Sequence, residues 1–157
     1  MGGNQYIYAF IGLFAVMMLA AAFSDIRQRI ITNRLNAAIA LLAVPYWFAV
    51  GLAPWPDMAL QLGIGIACFA LFAIPFAMGK MGGGDVKFIS AIALWLPPGL
   101  VLPFLIVMSL AGALLTLFMI VYQRVRHNSW NPKVPYGVSI AAGGLWALHQ
   151  QYINHFV

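Results

Sequence analysis

Only three side chains in this sequence are acidic, all of them aspartates, set against eight lysines and arginines. Asp25 lies in SDIRQRIITN, residues 24–33, just past the first apolar run, with Arg27 and Asn33 close by. Asp85 lies in GKMGGGDVKF, residues 79–88, directly behind Gly82, Gly83 and Gly84 and between Lys80 and Lys87. Two carboxylates brought close together cannot both ionise readily, so they share a proton. The ionised one can act as general base on a water. The protonated one can polarise a carbonyl oxygen and then protonate a leaving amine. Such a pair hydrolyses a peptide bond with no metal and no Ser or Cys nucleophile. The glycines would let the backbone bend and a substrate strand approach Asp85.

Each aspartate also has a plainer reading. Asp25 could be a solvated helix end paired with Arg27. Asp85 could be the N-cap of a helix starting near Val86, since Asp is a favoured cap. Lys80 and Lys87 could bias the pair toward ionisation or be ordinary loop charges. Asp57, in Pro54-Trp55-Pro56-Asp57, reads as a turn residue.

Other chemistry finds little footing. The single cysteine, Cys68, sits in an apolar run, and the three histidines are scattered, so no zinc-ligand spacing exists and no metal or cofactor is expected. The glycine run is not a phosphate loop, because no Gly-Lys-Ser/Thr closes it. The net charge of +5 could suggest nucleic acid, but it is better explained by loops facing an anionic membrane leaflet.

The elements that must position these residues are membrane spans. The chain is 64% hydrophobic and only 7% charged, far below the roughly 25% charge of soluble domains. Apolar runs cover Tyr6–Phe23, Leu35–Ala53, Met58–Met78, Phe88–Tyr122 and Gly137–Leu148. The fourth is too long for one span and is broken by Pro97-Pro98-Gly99 and Pro103. The expectation is one all-α membrane domain over residues 1–157 with about six spans. All eight basic residues then fall on one side, which the positive-inside rule makes cytoplasmic. Both termini face outward, and Asp25 and Asp85 share the inner face.

That count makes one leg tight. If Pro97-Pro98-Gly99 is the turn, the leg from Phe88 is about ten residues, roughly 15 Å, against roughly 20 residues for a full span. Either the leg is short and shielded by protein, or the turn lies nearer Pro103. A shielded leg hints at a cavity near Asp85. Ala20-Ala21-Ala22 looks like a signal cleavage site, but the positive cluster follows the run, as in an uncleaved anchor. Gly63-Gly65 and Gly143-Gly144 suit close helix packing. Trp47, Trp55 and Trp95 read as interfacial anchors toward the outward ends.

At the residue level the chain resembles a known family. Gly82-Gly83-Gly84-Asp85 matches the Gly-x-Gly-Asp motif of intramembrane aspartyl proteases. Its extension over residues 79–87 is similar to the type IV prepilin peptidases, and Asp25-Ile26-Arg27 with Ile31 and Asn33 resembles their other aspartate motif. Pro135-Tyr136-Gly137 at the start of the last run also fits. The resemblance implies a bacterial inner-membrane aspartic endopeptidase that removes the basic leader of type IV or tight-adherence prepilins, or of pseudopilins, at the cytoplasmic face. It makes Asp25 and Asp85 the catalytic pair and Gly82, Gly83 and Gly84 the active-site loop, with Arg27, Asn33, Lys80 and Lys87 as candidate support. The partners implied are prepilin substrates and the lipid bilayer, with no nucleic acid. Larger members carry a paired-cysteine region and also methylate the new N-terminus. This sequence lacks that region, so peptidase activity without methyltransferase activity is expected. Thr32 stands where proline is common in the family. The rival readings are a small proton-coupled transporter or channel subunit, since carboxylates near membranes mark ion paths, and a purely structural subunit.

Overall fold

The computed structural model describes residues 3–126 and 134–154. His127, Lys133 and His155 lie outside the described residues. Six α-helices follow one another: α1 (Gly3–Gln28), α2 (Asn33–Ala49), α3 (Ala59–Ala77), α4 (Gly83–Ala93), α5 (Pro98–Arg126) and α6 (Tyr136–Asn154), with no strand among the described residues. A tight turn over Pro54–Met58 leads into α3, with Trp55 extended inside it. Among the described residues three segments are long and apolar enough to cross a bilayer: Gln5–Gln28, Pro54–Ala77 and Pro98–Tyr122.

The turn after α4 falls at Pro97-Pro98, and Pro103 lies inside α5. The first of the two alternatives for the tight leg therefore holds. At 11 residues, α4 is only ~16 Å long. Its shortness is tolerated because it is enclosed: Val86, Phe88, Ile89, Ala91, Ile92 and Ala93 are buried, with α2, α3 and α6 packed around it. The long helices instead turn Leu19, Ile66 and Leu114 outward, which suits a hydrocarbon solvent.

Small residues allow the close packing. A Cβ at Gly143 would fall 3.0 Å from the backbone N of Met108 on α5. One at Gly144 would fall 2.7 Å from Met18 Sδ on α1 and 3.2 Å from Ile92 on α4. Gly65 sits equally close to Leu94, whereas Gly63 faces open space and packs on nothing.

Two of the three expected interfacial tryptophans are core residues instead. Trp47 and Trp95 are 5% and 3% exposed, and only Trp55 is open, at 81%. Their indole N–H groups find buried carbonyls, Trp47 donating to Leu94 O at 2.8 Å and Trp95 to Ile39 O at 2.9 Å. Satisfied in that way, an indole is as much at home in a core as at an interface. Trp95 also stacks between Phe14, at 4.3 Å, and Tyr46, at 4.8 Å.

The C-terminal end of α4 stops inside protein, so its last carbonyls need donors from elsewhere. Gln61, buried on α3, supplies them: its amide nitrogen donates to Ala93 O and Leu94 O, each at 3.0 Å, and to Leu96 O. Gln61→Met keeps the volume and removes the donor. It should destabilise the fold by about 1–3 kcal/mol through the stranded carbonyls, seen as a lower thermal midpoint in detergent.

Candidate active site

Asp25 sits in the last turn of α1 and is 5% exposed. The helix ends where Arg29 adopts a left-handed φ of 56° and donates its N–H to Asp25 O at 2.9 Å. Ser24 Oγ closes the same turn by donating to Ile30 O at 2.8 Å. The chain then doubles back through buried Ile31 to Thr32, the N-cap of α2. Thr32 has φ −68°, the angle a proline would impose, and its Oγ1 accepts the Leu35 N–H at 3.3 Å. Threonine therefore keeps the backbone shape expected of the family's proline while adding a cap.

Asp25 does not pair with Arg27, whose guanidinium lies over the Phe23 ring, 5.2 Å from its centroid. Its Oδ2 instead accepts the backbone N–H of Gly137 at 2.8 Å. Gly137 is in the first turn of α6, where N–H groups have no partner within the helix and the helix dipole favours an anion. A Cβ at Gly137 would lie 2.8 Å from Asp25 Oδ2 and 2.8 Å from Ile31 Cδ1. Only glycine fits there.

Asp85 is not an N-cap. The cap is Gly82, and Asp85 is the third residue inside α4. The Asp85 N–H bonds Gly82 O at 3.1 Å, and its carboxyl folds back toward Gly82, so that a Cβ there would be 2.9 Å from Oδ2. The Asp85 carboxyl thus supplies one half of a capping box, since Gly82 has no side chain to supply the other. The glycines ahead of Asp85 are not in the left-handed region, which Gly51 and Gly79 alone among the described glycines occupy. They are needed for proximity: a Cβ at Gly84 would press on Ile31 O at 3.0 Å, and one at Gly83 would meet the Phe76 ring at 3.1 Å.

Ile31 thus links the two halves. Its backbone oxygen lies against Gly84, and its side chain lies against Gly137. Asn36, buried on α2, adds a second tie by donating its amide to Gly84 O at 3.0 Å. The two carboxylates lie at one end of the bundle, near enough for the charge of Asp25 to act on Asp85. Burial, and then the charge of Asp25, push the Asp85 carboxyl up to about 6, partly offset by the Gly82 backbone N–H. The Asp85 carboxyl therefore keeps its proton to a higher pH than an ordinary carboxyl does.

The other expected residues fall around this centre. Lys87 Nζ donates to Asn33 Oδ1 at 2.8 Å, bridging the starts of α4 and α2 on the exposed rim. Lys80 is exposed in the turn before Gly82. Asp57 accepts the Ala53 N–H at 3.1 Å, a local turn contact at the opposite end of α2. His149 is twelve positions beyond Gly137 on α6, roughly 18 Å along its axis. No three His, Cys, Asp or Glu side chains gather among the described residues.

Sequence reasoning passed over Asn36 and Gln61. Gln61 had a signal, a lone amide in an otherwise apolar span; Asn36, in a polar first turn, had none. The expected cavity is also displaced. A cavity of about 590 Å³, lined by Tyr8, Tyr46, Gln61, Trp95 and Pro97, lies at the far end of α4. It reaches α1 at Ile11, roughly 21 Å along the axis from Asp25. A short helix leaves space beyond its C-terminus, not at its start. A second hollow of about 550 Å³ lies between α5 and α6; no aspartate lines it, but Met81 and Tyr136 at its edge adjoin the Gly82 turn and Gly137.

Two outcomes test this geometry without reference to activity. In a carboxyl-resolved NMR titration Asp85 should protonate near 6, and Asp25→Asn should lower that value by removing a like charge. A carboxyl whose folded value exceeds its unfolded one loses stability as pH rises between the two. Asp85→Asn should therefore raise the thermal midpoint relative to the parent at about pH 7.5 and not at about pH 4.

No curated protein and no solved structure matches the chain. The family model of the type IV leader peptidases matches residues 12–117, which takes in both aspartates, the loop through Ile31 and the whole of α4, and stops short of Gly137. With both aspartate segments inside a match that covers more than half its length, the chain belongs to the type IV leader peptidase family.

Proposed function

We propose that this membrane protease is an aspartic endopeptidase that removes the basic leader from type IV or tight-adherence prepilins, or from pseudopilins, at the cytoplasmic membrane face. The observation that supports the reading is that Asp25 and Asp85 lie at one end of the bundle, with burial and the charge of Asp25 pushing Asp85 up to about 6. With one proton between them, the ionised carboxylate takes a proton from water as its oxygen attacks the scissile carbonyl carbon. The protonated carboxyl donates to the carbonyl oxygen and stabilises the tetrahedral intermediate. Collapse of that intermediate breaks the C–N bond, and the leaving nitrogen takes a proton from the pair. As the C=O re-forms, one hydroxyl proton of the intermediate returns to the pair, which is again singly protonated. The products, a leader carboxylic acid and an amine on the apolar segment, then exchange a proton to become carboxylate and ammonium.

The position of the site supports this substrate class. A basic leader stays in water while the apolar segment enters the bilayer, and the bond between them lies at the interface. The described carboxylates sit at helix ends and none sits mid-span, which disfavours a proton path across the membrane. The orientation we infer, with both termini outward and about six crossings, follows from the basic loops sharing one side. We also infer a peptidase without methyltransferase activity.

The test is co-expression with a prepilin and a gel assay for leader removal. Asp25→Asn and Asp85→Asn should each abolish processing, while Asp57→Asn should retain it. Gly137→Ala should cost at least tenfold in rate by displacing the Asp25 carboxylate, about the weight of one lost charge-assisted hydrogen bond. Processing should survive metal chelators. Complete processing by either aspartate variant would sink the dyad.

A further inference from the structure

The hollow between α5 and α6 reaches residues that adjoin the turns holding both aspartates. Met81 at its edge immediately precedes the Gly82–Asp85 turn, and Tyr136 adjoins Gly137, whose N–H holds Asp25. Along its length it is walled by apolar atoms of Met108, Leu117, Ile120 and Ile140. Methionine walls adapt to apolar side chains of varied shape. Gly112 widens it, since a Cβ there would meet nothing nearer than Ser139 Oγ at 3.7 Å.

Three aliphatic hydroxyls line this hollow, besides the phenol of Tyr136 at its edge. Ser109 donates to Leu105 O and Thr116 to Gly112 O, each at 2.7 Å and each within its own helix. Ser139 differs. It is 3% exposed, and its Oγ has no hydrogen-bond partner among the described residues. A buried hydroxyl without a partner is costly, and hydrocarbon has nothing to offer it.

On the reading above, the substrate brings the complementary deficit. The apolar segment that follows the scissile bond starts as a helix, whose first four N–H groups have no partner within it. Water is scarce at that depth, and the bond being cut must be extended, so the turn behind it is uncapped. A serine oxygen is a favoured acceptor for such groups. A lipid acyl chain would fill the volume and leave Ser139 unpaired.

We propose that the α5–α6 hollow is the docking site for the first turn of the substrate's apolar segment, immediately past the scissile bond, with Ser139 Oγ accepting one of its backbone N–H groups. The proposal rests on the leader-peptidase reading and adds where the substrate lies and which enzyme side chain binds it. Ser139 is thereby a substrate-binding residue of α6, beyond the family match at 12–117.

Cross-linking separates the possibilities. The probe is a synthetic peptide with a basic leader, an apolar segment and one cysteine at the third position past the cut. The Asp85→Asn protein, with Cys68→Ala to clear the background, receives Ala113→Cys in the hollow or Ala70→Cys on the exposed face of α3. Ala113→Cys should form a disulfide with the peptide, and Ala70→Cys should not. Equal cross-linking at both, or none at Ala113→Cys, overturns the docking site and leaves the hollow to lipid. In the otherwise native enzyme Ser139→Ala should raise KM roughly three- to tenfold, the weight of one neutral hydrogen bond. Ser139→Thr should recover part of that loss, and Asp85 should still titrate near 6. An unchanged KM overturns the Ser139 contact. Wild-type protein that leaves the peptide whole overturns the peptidase reading itself, whereas cleavage without a cross-link in the hollow overturns only this site.

Discussion

One hydrogen bond organises the end of the bundle that holds Asp25 and Asp85. The Gly137 N–H reaches Asp25 Oδ2 across 112 positions of sequence and joins the last turn of α1 to the first turn of α6. It satisfies a helix-end donor that would otherwise be buried without a partner, and a buried carboxylate that would otherwise have none. It also dictates its surroundings. Because the contact is backbone to side chain at close range, position 137 must be glycine. Because glycine leaves a notch, Ile31 can enter it. Because Ile31 is there, its backbone oxygen meets Gly84, the residue ahead of Asp85. Removing that one contact would loosen both carboxylates.

The second aspartate depends on a helix held at both ends by its neighbours. Asn36 binds the carbonyl of Gly84 at the start of α4, and Gln61 and Trp47 bind the carbonyls at its finish. A helix of 11 residues is marginal by itself, and the amphipathic burial of α4 alone would not fix how deep it sits. Amides and an indole at the two ends set that depth, and with it the height of Asp85. Buried polar groups act here as registers: each is satisfied in one position of α4 and stranded by a slip in either direction.

Much of this was legible in the sequence, for reasons that also mark where reading stopped. Long apolar runs report on solvent, so the helices and the presence of membrane spans follow from composition. The two aspartate segments stood out because charge is rare in such a chain. Proximity was harder to read. The glycines ahead of Asp85 suggested flexibility, whereas Gly82 and Gly84 are packed and regular, their missing side chains making room for a carboxyl and a neighbouring loop. Trp47 and Trp95 followed the rule for interfacial anchors until the carbonyls that hold them inside came into view. In each case the sequence names the residue, and the partner, dozens of positions away, decides its meaning.

On the aspartic-peptidase reading proposed above, placing the carboxylates at helix ends resolves a conflict built into chemistry near a membrane. Deep in hydrocarbon neither aspartate would ionise, and no base would exist. Fully in water both would ionise near their ordinary values, and no acid would survive at neutral pH. At the end of the bundle Asp25 draws on the α6 N-terminus and Asp85 on the first turn of α4, so each carboxylate has backbone N–H groups to stabilise its charge. Burial and mutual repulsion work against that stabilisation and leave Asp85 near 6. The short, enclosed α4 suits that balance, since it starts beside Asp85 and stops after 11 residues, and the hollow beyond its far end is what remains when the helix stops early.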